Sequence, residues 1–183
     1  MTATLDLVPA LTRPDLLAPP VFAALRAWEG ERRVERVAVA EIDPELADTA
    51  AFCERYGVPP DRSANCVVVA GRRGGDTRVA ACVVLATTRA DVNTAVRQRL
   101  DVRKASFLPM DSAVEETGME YGGITPIGLP LGWPVLVDRA VAETESVIIG
   151  SGVRRSKLEL PGGVLAGLPG VEVVDGLGRP ASA

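Results

Sequence analysis

Two glycine-rich runs and one polar residue at a strand entry carry most of the chemistry this sequence offers. Gly122-Gly123-Ile124-Thr125-Pro126 lies in a loop dense in glycine and proline, from Gly118 to Gly128. Glycine admits backbone conformations closed to other residues, and Pro126 fixes the exit of the loop. Such a loop can aim backbone N–H groups inward as a cradle for an anion or a carbonyl oxygen. An ordinary tight turn has the same composition, and the residues alone leave both readings open. Asn65, in Ser63-Ala64-Asn65-Cys66, stands at the mouth of an apolar strand. It serves there as a hydrogen-bond donor to a ligand or as an Asx cap.

Gly150-Ser151-Gly152 follows the apolar run Val147-Ile148-Ile149 and imitates a dinucleotide-binding fingerprint. The imitation fails. Arg155 occupies the third glycine position, and Lys157-Leu158-Glu159-Leu160 alternates as a strand where the fingerprint needs a helix N-terminus. What remains is a turn at a strand end, where backbone N–H groups can approach a ligand closely. Lys104 and Ser106 are two apart on a short strand and share a face. That spacing fits a strand face reaching solvent better than a Ser–Lys catalytic pair.

Other chemistries are excluded by composition. The 183 residues contain no histidine. This removes Ser-His-Asp and Cys-His nucleophile pairs and the commonest metal ligand. Cys53, Cys66 and Cys82 form no C-x-x-C and sit in apolar runs. They read as buried, reduced thiols, too few for a zinc site of the Cys/His type. No apolar run is long enough to span a membrane, and Met1 to Pro20 lacks the basic and apolar regions of a signal peptide. A cytoplasmic protein is expected.

The elements that must position these residues follow from periodicity and punctuation. Residues 1–20 read as an arm or extended lead-in. Pro19-Pro20 opens a helix over Val21–Trp28, stopped by Gly30. A strand is expected over Val34–Ile42 and a helix over Glu45–Tyr56, closed by Gly57. Cys66–Ala70 and Arg78–Thr87 form a hairpin about the turn Gly71–Gly75. Asp91 caps a helix to Leu100, Val102–Phe107 is a strand, and Asp111–Thr117 is a helix ended by Gly118. Strands follow at Val135–Asp138, Ser146–Ile149, Lys157–Leu160 and Val171–Val174, with a helical turn in Pro161–Leu168. The order is neither alternating βαβ nor all β, so the fold class is α+β with a mixed sheet.

Charge is uneven. The chain carries −4 overall, but residues 61–104 carry +5, against −4 for 1–60, −6 for 105–149 and +1 for 150–183. A local basic region therefore lies within an acidic protein. Solvated surface arginines and a polyanion-facing surface both produce that pattern.

Four blocks in order are similar to the YbaK/EbsC family of aminoacyl-tRNA deacylases, which includes the editing domain of some bacterial prolyl-tRNA synthetases. They are Arg55-Tyr-Gly-Val-Pro-Pro60 with Ala64-Asn65 and the strand Cys66–Val69; Leu100-Asp-Val-Arg-Lys104; Thr117-Gly-Met-Glu-Tyr-Gly-Gly-Ile-Thr-Pro-Ile-Gly128; and Val147-Ile-Ile-Gly-Ser-Gly152 with Arg155 and Lys157–Leu160. The blocks span about residues 34 to 175. The third is the most specific.

The resemblance implies a mixed, barrel-like β-sheet surrounded by helices over residues 34–183, with residues 1–33 as an N-terminal extension packed on it. It implies hydrolysis of the ester between a mischarged amino acid, small and on tRNA(Pro) or similar, and the terminal adenosine. Water attacks in a small pocket, helped by backbone donors and by groups of the substrate, with no cofactor or metal. Asn65, Gly122 and Gly123 take the catalytic positions. Ile124, Thr125 and Pro126 shape the substrate loop, and Gly150, Ser151 and Gly152 form the facing wall. Lys104, with Arg103, approaches the tRNA. The implied partner is aminoacyl-tRNA, with a synthetase as a further one, and neither DNA nor membrane. Many members carry a lysine where this chain has Asn65. A charged hydrogen bond contributes about 1.5–3 kcal/mol, so up to about a hundredfold in rate or affinity turns on this position. Two readings follow: a free-standing trans-editing deacylase, or a non-catalytic relative that binds aminoacyl-tRNA, a synthetase or a small ligand in the same pocket.

Overall fold

Backbone punctuation sets the elements of the computed structural model, which describes residues 4–28 and 33–180. The chain begins with β1 (Val8–Pro9), two 3-10 turns and α1 (Pro19–Ala27), whose two prolines occupy the first helical turn. Next come β2 (Ala38–Glu41), α2 (Thr49–Tyr56), β3 (Ala64–Arg73), β4 (Asp76–Leu85) and β5 (Thr88–Ala90). A π-wound turn (Val92–Val96) leads into α3 (Arg97–Leu100), then β6 (Ala105–Phe107) and α4 (Met110–Thr117). After the glycine–proline loop follow β7 (Val135–Asp138), α5 (Arg139–Ala142), β8 (Val147–Gly150), β9 (Ser156–Leu160), α6 (Gly162–Ala166), β10 (Val171–Val174) and β11 (Gly178–Pro180).

The strands form a four-stranded sheet, β1-β2-β9-β8, and a five-stranded sheet, β10-β7-β4-β3-β6. A short pair, β11-β5, stands apart. The larger sheet is mixed: β7 runs parallel to both β4 and β10, while β3 is antiparallel to β4 and β6. The two sheets meet at a bridge between Ser63 and Ile148, which gives the barrel-like, helix-surrounded α+β arrangement. The main core lies between the sheets and holds Val39, Val83, Val137, Ile149, Leu158 and Leu160. A second cluster, with Val69, Cys82 and Leu136, covers the other face of the five-stranded sheet under the 92–100 helix.

Several expected elements shift for local reasons. The hairpin strands run further than the sequence suggests, and the turn shrinks to Gly74 and Gly75, both with positive φ, as a two-residue hairpin turn requires. Helix α2 starts at Thr49 rather than Glu45, because the Asp43 carboxylate accepts the Glu45 N–H and closes a separate 3-10 turn first. Within the expected strand 34–42, Val34–Arg36 is a 3-10 turn. The expected stop at Gly30 lies outside the described residues.

The largest difference concerns the N-terminal segment. Residues 1–20, read as an arm or extended lead-in, contribute Ala10, Leu16, Leu17 and Ala18 to the main core, beside Val21 and Leu25 of α1. The segment's polar backbone is matched as well, with Ala18 N–H donating to the Ser151 carbonyl and Ala10 N–H to that of Val37. Leu25→Ala is therefore expected to cost about 2–5 kcal/mol, read as a lower urea midpoint of unfolding. An unchanged midpoint would show the segment to be a detachable arm.

Candidate active site

Asn65 is the second residue of β3, and its side-chain oxygen accepts a 2.6 Å hydrogen bond from the hydroxyl of Thr49 in the first turn of α2. This contact commits the acceptor end of the amide and leaves the NH2 end as the donor available to a ligand. Both residues line a cavity of about 560 Å3 with Ala50, Cys53, Glu54, Val58, Pro60 and Ala86. Small and apolar groups dominate the walls. Burial raises the pKa of the Cys53 thiol, only partly opposed by Ser63 and the Lys157 charge, so the thiol stays protonated at neutral pH.

A second polar group lies behind α2. Lys157, on β9, is buried, and its ammonium donates a 3.0 Å hydrogen bond to the carbonyl of Ala47, just before α2. It also lies 5.3 Å from the centre of the Phe52 ring, within cation–π range. Burial lowers its pKa to about 8, with Arg154 adding to the effect and Cys53 and Asp48 opposing it. Arg154 reaches the same segment from the other side. Its guanidinium donates to the carbonyls of Pro44 and Tyr121, and its N–H to the Glu120 carboxylate. The Gly122 loop, Arg154, the 43–49 segment, Thr49 and Asn65 thus form one continuous chain of contacts.

The glycine loop and the glycine-serine turn meet backbone to backbone. Gly152 N–H donates to the Gly123 carbonyl at 2.7 Å, and Glu120 N–H donates to the Gly152 carbonyl at 2.8 Å. A Cβ at Gly123 would stand 2.7 Å from the Val153 backbone, and one at Gly150 would strike the carbonyls of Gly123 and Ile124. Gly122 has φ +79, and a Cβ there would lie 2.5 Å from the Arg154 guanidinium.

These contacts redistribute the expected site. Gly123 does not offer its own N–H, which donates to the Glu120 carbonyl at 2.9 Å. Ser151 and Gly152 face the N-terminal segment. The Ser151 hydroxyl, fully buried, bonds that of Ser156, which donates to the Leu16 carbonyl, while Gly152 lies against Ala18 and Val21. Lys104 is exposed, in the segment between α3 and β6, and its carbonyl lies against Gly71 in the far part of the hairpin. Pro126 lines a separate apolar groove with Trp28 and Trp133. Ile124 packs against the main core. Thr125 is fully buried, and its hydroxyl has no hydrogen-bond partner among the described residues. An unsatisfied buried hydroxyl costs about 1–3 kcal/mol. Among the described residues no group of three or more Cys, Asp or Glu is placed to hold a metal ion.

Thr49, Cys53, Arg154 and Lys157 were not singled out by sequence. The one available signal was a lysine in an alternating strand, since Leu158 and Leu160 face the main core and parity sends Lys157 to the opposite side. Only the packing of α2 there makes that side an interior.

The buried lysine has a pH signature. In the unfolded chain it holds its proton up to about 10.5, but in the folded chain only up to about 8. Unfolding therefore takes up a proton between these values, and stability attributable to Lys157 rises with pH across that window. Lys157→Met is expected to remove this rise, so that the urea midpoint of wild type climbs relative to that of the variant from pH 8 to 10.5. A constant difference would place the ammonium in water.

A solved structure described as a candidate trans-editing enzyme for prolyl tRNA synthetase superposes with a TM-score of 0.72 at 19% identity, covering 86% of this chain and 94% of the other. The hypothetical protein APE2540 superposes equally well, with a TM-score of 0.72 at 20% identity over 85% of this chain and 99% of its own. At such identities the likeness is one of fold. The family profile of the aminoacyl-tRNA editing domain matches residues 43–168, which takes in α2, Asn65, the glycine loop, the 150–154 turn and Lys157. A match across most of the sequence and through every part of the cavity and its supports places this chain in the aminoacyl-tRNA editing domain family.

Proposed function

We propose that the protein is a free-standing trans-editing deacylase that hydrolyses the ester of a mischarged tRNA, with a small amino acid on tRNA(Pro) or a similar tRNA as substrate. The observation that carries this reading is the 560 Å3 cavity beside the Asn65 amide, within the volume range of small-ligand sites and walled by small apolar groups. A terminal adenosine and a short side chain fill such a space. In this reading residues 34–183 are the editing domain, and residues 1–33 are an N-terminal extension and helix packed on it. Among the described residues no helix is long and apolar enough to cross a membrane, in keeping with a cytoplasmic role on tRNA.

In this mechanism water attacks the ester carbonyl carbon. The bond from that carbon to the ribose oxygen breaks, and the ribose oxygen leaves with a proton. Negative charge develops on the carbonyl oxygen in between, and donors placed beforehand stabilise it. The Asn65 NH2 and the backbone N–H groups of Gly122 and Ile124 are the donors proposed. Thr125 contributes its otherwise unsatisfied hydroxyl to the substrate or to a bound water. The sequence has no histidine, so the proton does not pass through an imidazole; the neighbouring hydroxyl of the substrate's own ribose relays it, accepting the proton of the attacking water while giving its own to the leaving oxygen. The neutral amide of Asn65 gives a weaker hold than an ammonium, which keeps the non-catalytic reading as the second one.

Deacylation assays with Ala-, Cys- and Ser-charged tRNA(Pro) and correctly charged controls test the proposal. One mischarged pair is expected to lose its amino acid above the spontaneous rate. Asn65→Ala should lower kcat/KM by about tenfold, the value of one buried hydrogen bond. Gly122→Ala should cut turnover at least as much, because a positive φ is costly for alanine and its Cβ displaces Arg154. Thr125→Val should raise the urea midpoint while weakening substrate binding. Wild-type silence on every pair, with turnover appearing in Asn65→Lys, would replace the proposal with the non-catalytic reading.

A further inference from the structure

The two ends of the β3–β4 hairpin carry different chemistry. β3 pairs with β4 without interruption from Ala64 opposite Leu85 to Arg73 opposite Asp76, so Asn65 and Arg73, eight residues apart, project to the same side. At ~3.3 Å per residue their separation is about 26 Å. At the Arg73 end, Arg72, Arg73, Arg97 and Arg103 line a groove of about 510 Å3. The fold assembles it: Gly71 has no side chain, and a Cβ there would collide with Val102 and the Lys104 carbonyl, so the 102–104 segment closes directly onto the hairpin. Asp101 pairs with Arg73 and Arg78. Among the described residues Arg72 and Arg103 make no ion pair. Between the groove and Asn65, on the edge strand β6, Phe107 stands opposite Val69 and is 60% exposed.

Guanidinium groups gathered around one groove repel one another unless an anion is shared among them, and their planar forks fit phosphate oxygens. A cationic groove followed by an exposed ring is the pattern of a surface that holds a nucleic-acid backbone and stacks an unpaired base. The spacing also fits. The ester-bearing 3′ end of a tRNA is single-stranded for a short stretch before the paired acceptor stem begins. A site for stem phosphates must therefore lie some tens of ångströms from the cavity. We propose that the Arg72–Arg103 groove docks the acceptor-stem phosphates of tRNA and that Phe107 stacks on a base of the single strand running along β6 towards Asn65. The identity of the RNA rests on the editing reading; the polyanion-binding surface itself does not.

The test is binding of uncharged tRNA(Pro) transcript to the full-length protein over a range of salt concentrations, with hydrolysis of mischarged tRNA measured in parallel. Arg72→Glu/Arg103→Glu is expected to raise Kd roughly tenfold or more and to flatten the slope of log affinity against log salt by about two. On charged substrate the loss should fall in KM and not in kcat. Phe107→Ala should weaken binding with the salt slope unchanged, the mark of stacking rather than charge. A double variant with wild-type Kd and slope, and an unchanged melting temperature, overturns the surface even if the protein proves to be a deacylase. Loss of tRNA binding in that variant, with no hydrolysis by wild type, upholds the surface and overturns the editing reading instead.

Discussion

The contact between residues 122–124 and 150–153 governs the arrangement of the rest. Two stretches of backbone approach so closely that a Cβ at Gly123 or Gly150 would occupy space already held by main-chain atoms. Hydrogen bonds in both directions, Gly152 to Gly123 and Glu120 to Gly152, fix the approach. From this seam the loop is held against the end of β8, and the far side of Gly152 receives Ala18 and Val21 of the N-terminal segment. One seam therefore ties the glycine–proline loop, the sheet and the first helix together. Glycine is required here because of space as much as conformation, since Gly123 and Gly150 have ordinary φ values.

A buried ammonium organises the opposite wall. Lys157 is held by one carbonyl and one aromatic ring, with no ion pair to a carboxylate among the described residues, and burial makes its charge costly and lowers its pKa. Its hydrogen bond fixes Ala47, and so the point at which the chain turns into α2. The helix in turn sets Thr49 against Asn65. A carbonyl-bound lysine behind the helix thus determines how the amide in front of it points. A neutral side chain stands at the strand entry, and a buried ammonium reaches the helix from the neighbouring sheet.

Much of the fold was legible in the sequence. Gly57 and Gly118 end their helices in the left-handed conformation, as their positions after an amphipathic run indicate. Alternation located β7, β9 and β10 within a residue or so. The rejection of a dinucleotide site also held, because β9 follows the Gly150–Gly152 turn where that site needs a helix. The arm-like reading of the N-terminus failed because proline and leucine without clear periodicity describe an exposed lead-in and a buried irregular segment equally well. Short pairings such as β5 with β11 join residues far apart in the chain, and neither strand has a pattern of its own.

For the site, the sequence determined residue types and local conformations: an absence of imidazole, a loop able to adopt positive φ at Gly122, and a polar amide at a strand entry. These depend on neighbours a few residues apart, and local spacing encodes them. The tertiary structure alone decided which groups share a cavity and which are consumed elsewhere. The Gly123 N–H and the Ser151 hydroxyl are spent on partners within the fold, Lys157 becomes interior because a helix from another part of the chain covers it, and Arg72 meets Arg103 because Gly71 leaves room. Burial and hydrogen-bond pairing between distant segments are properties of the assembled chain, and no local pattern specifies them.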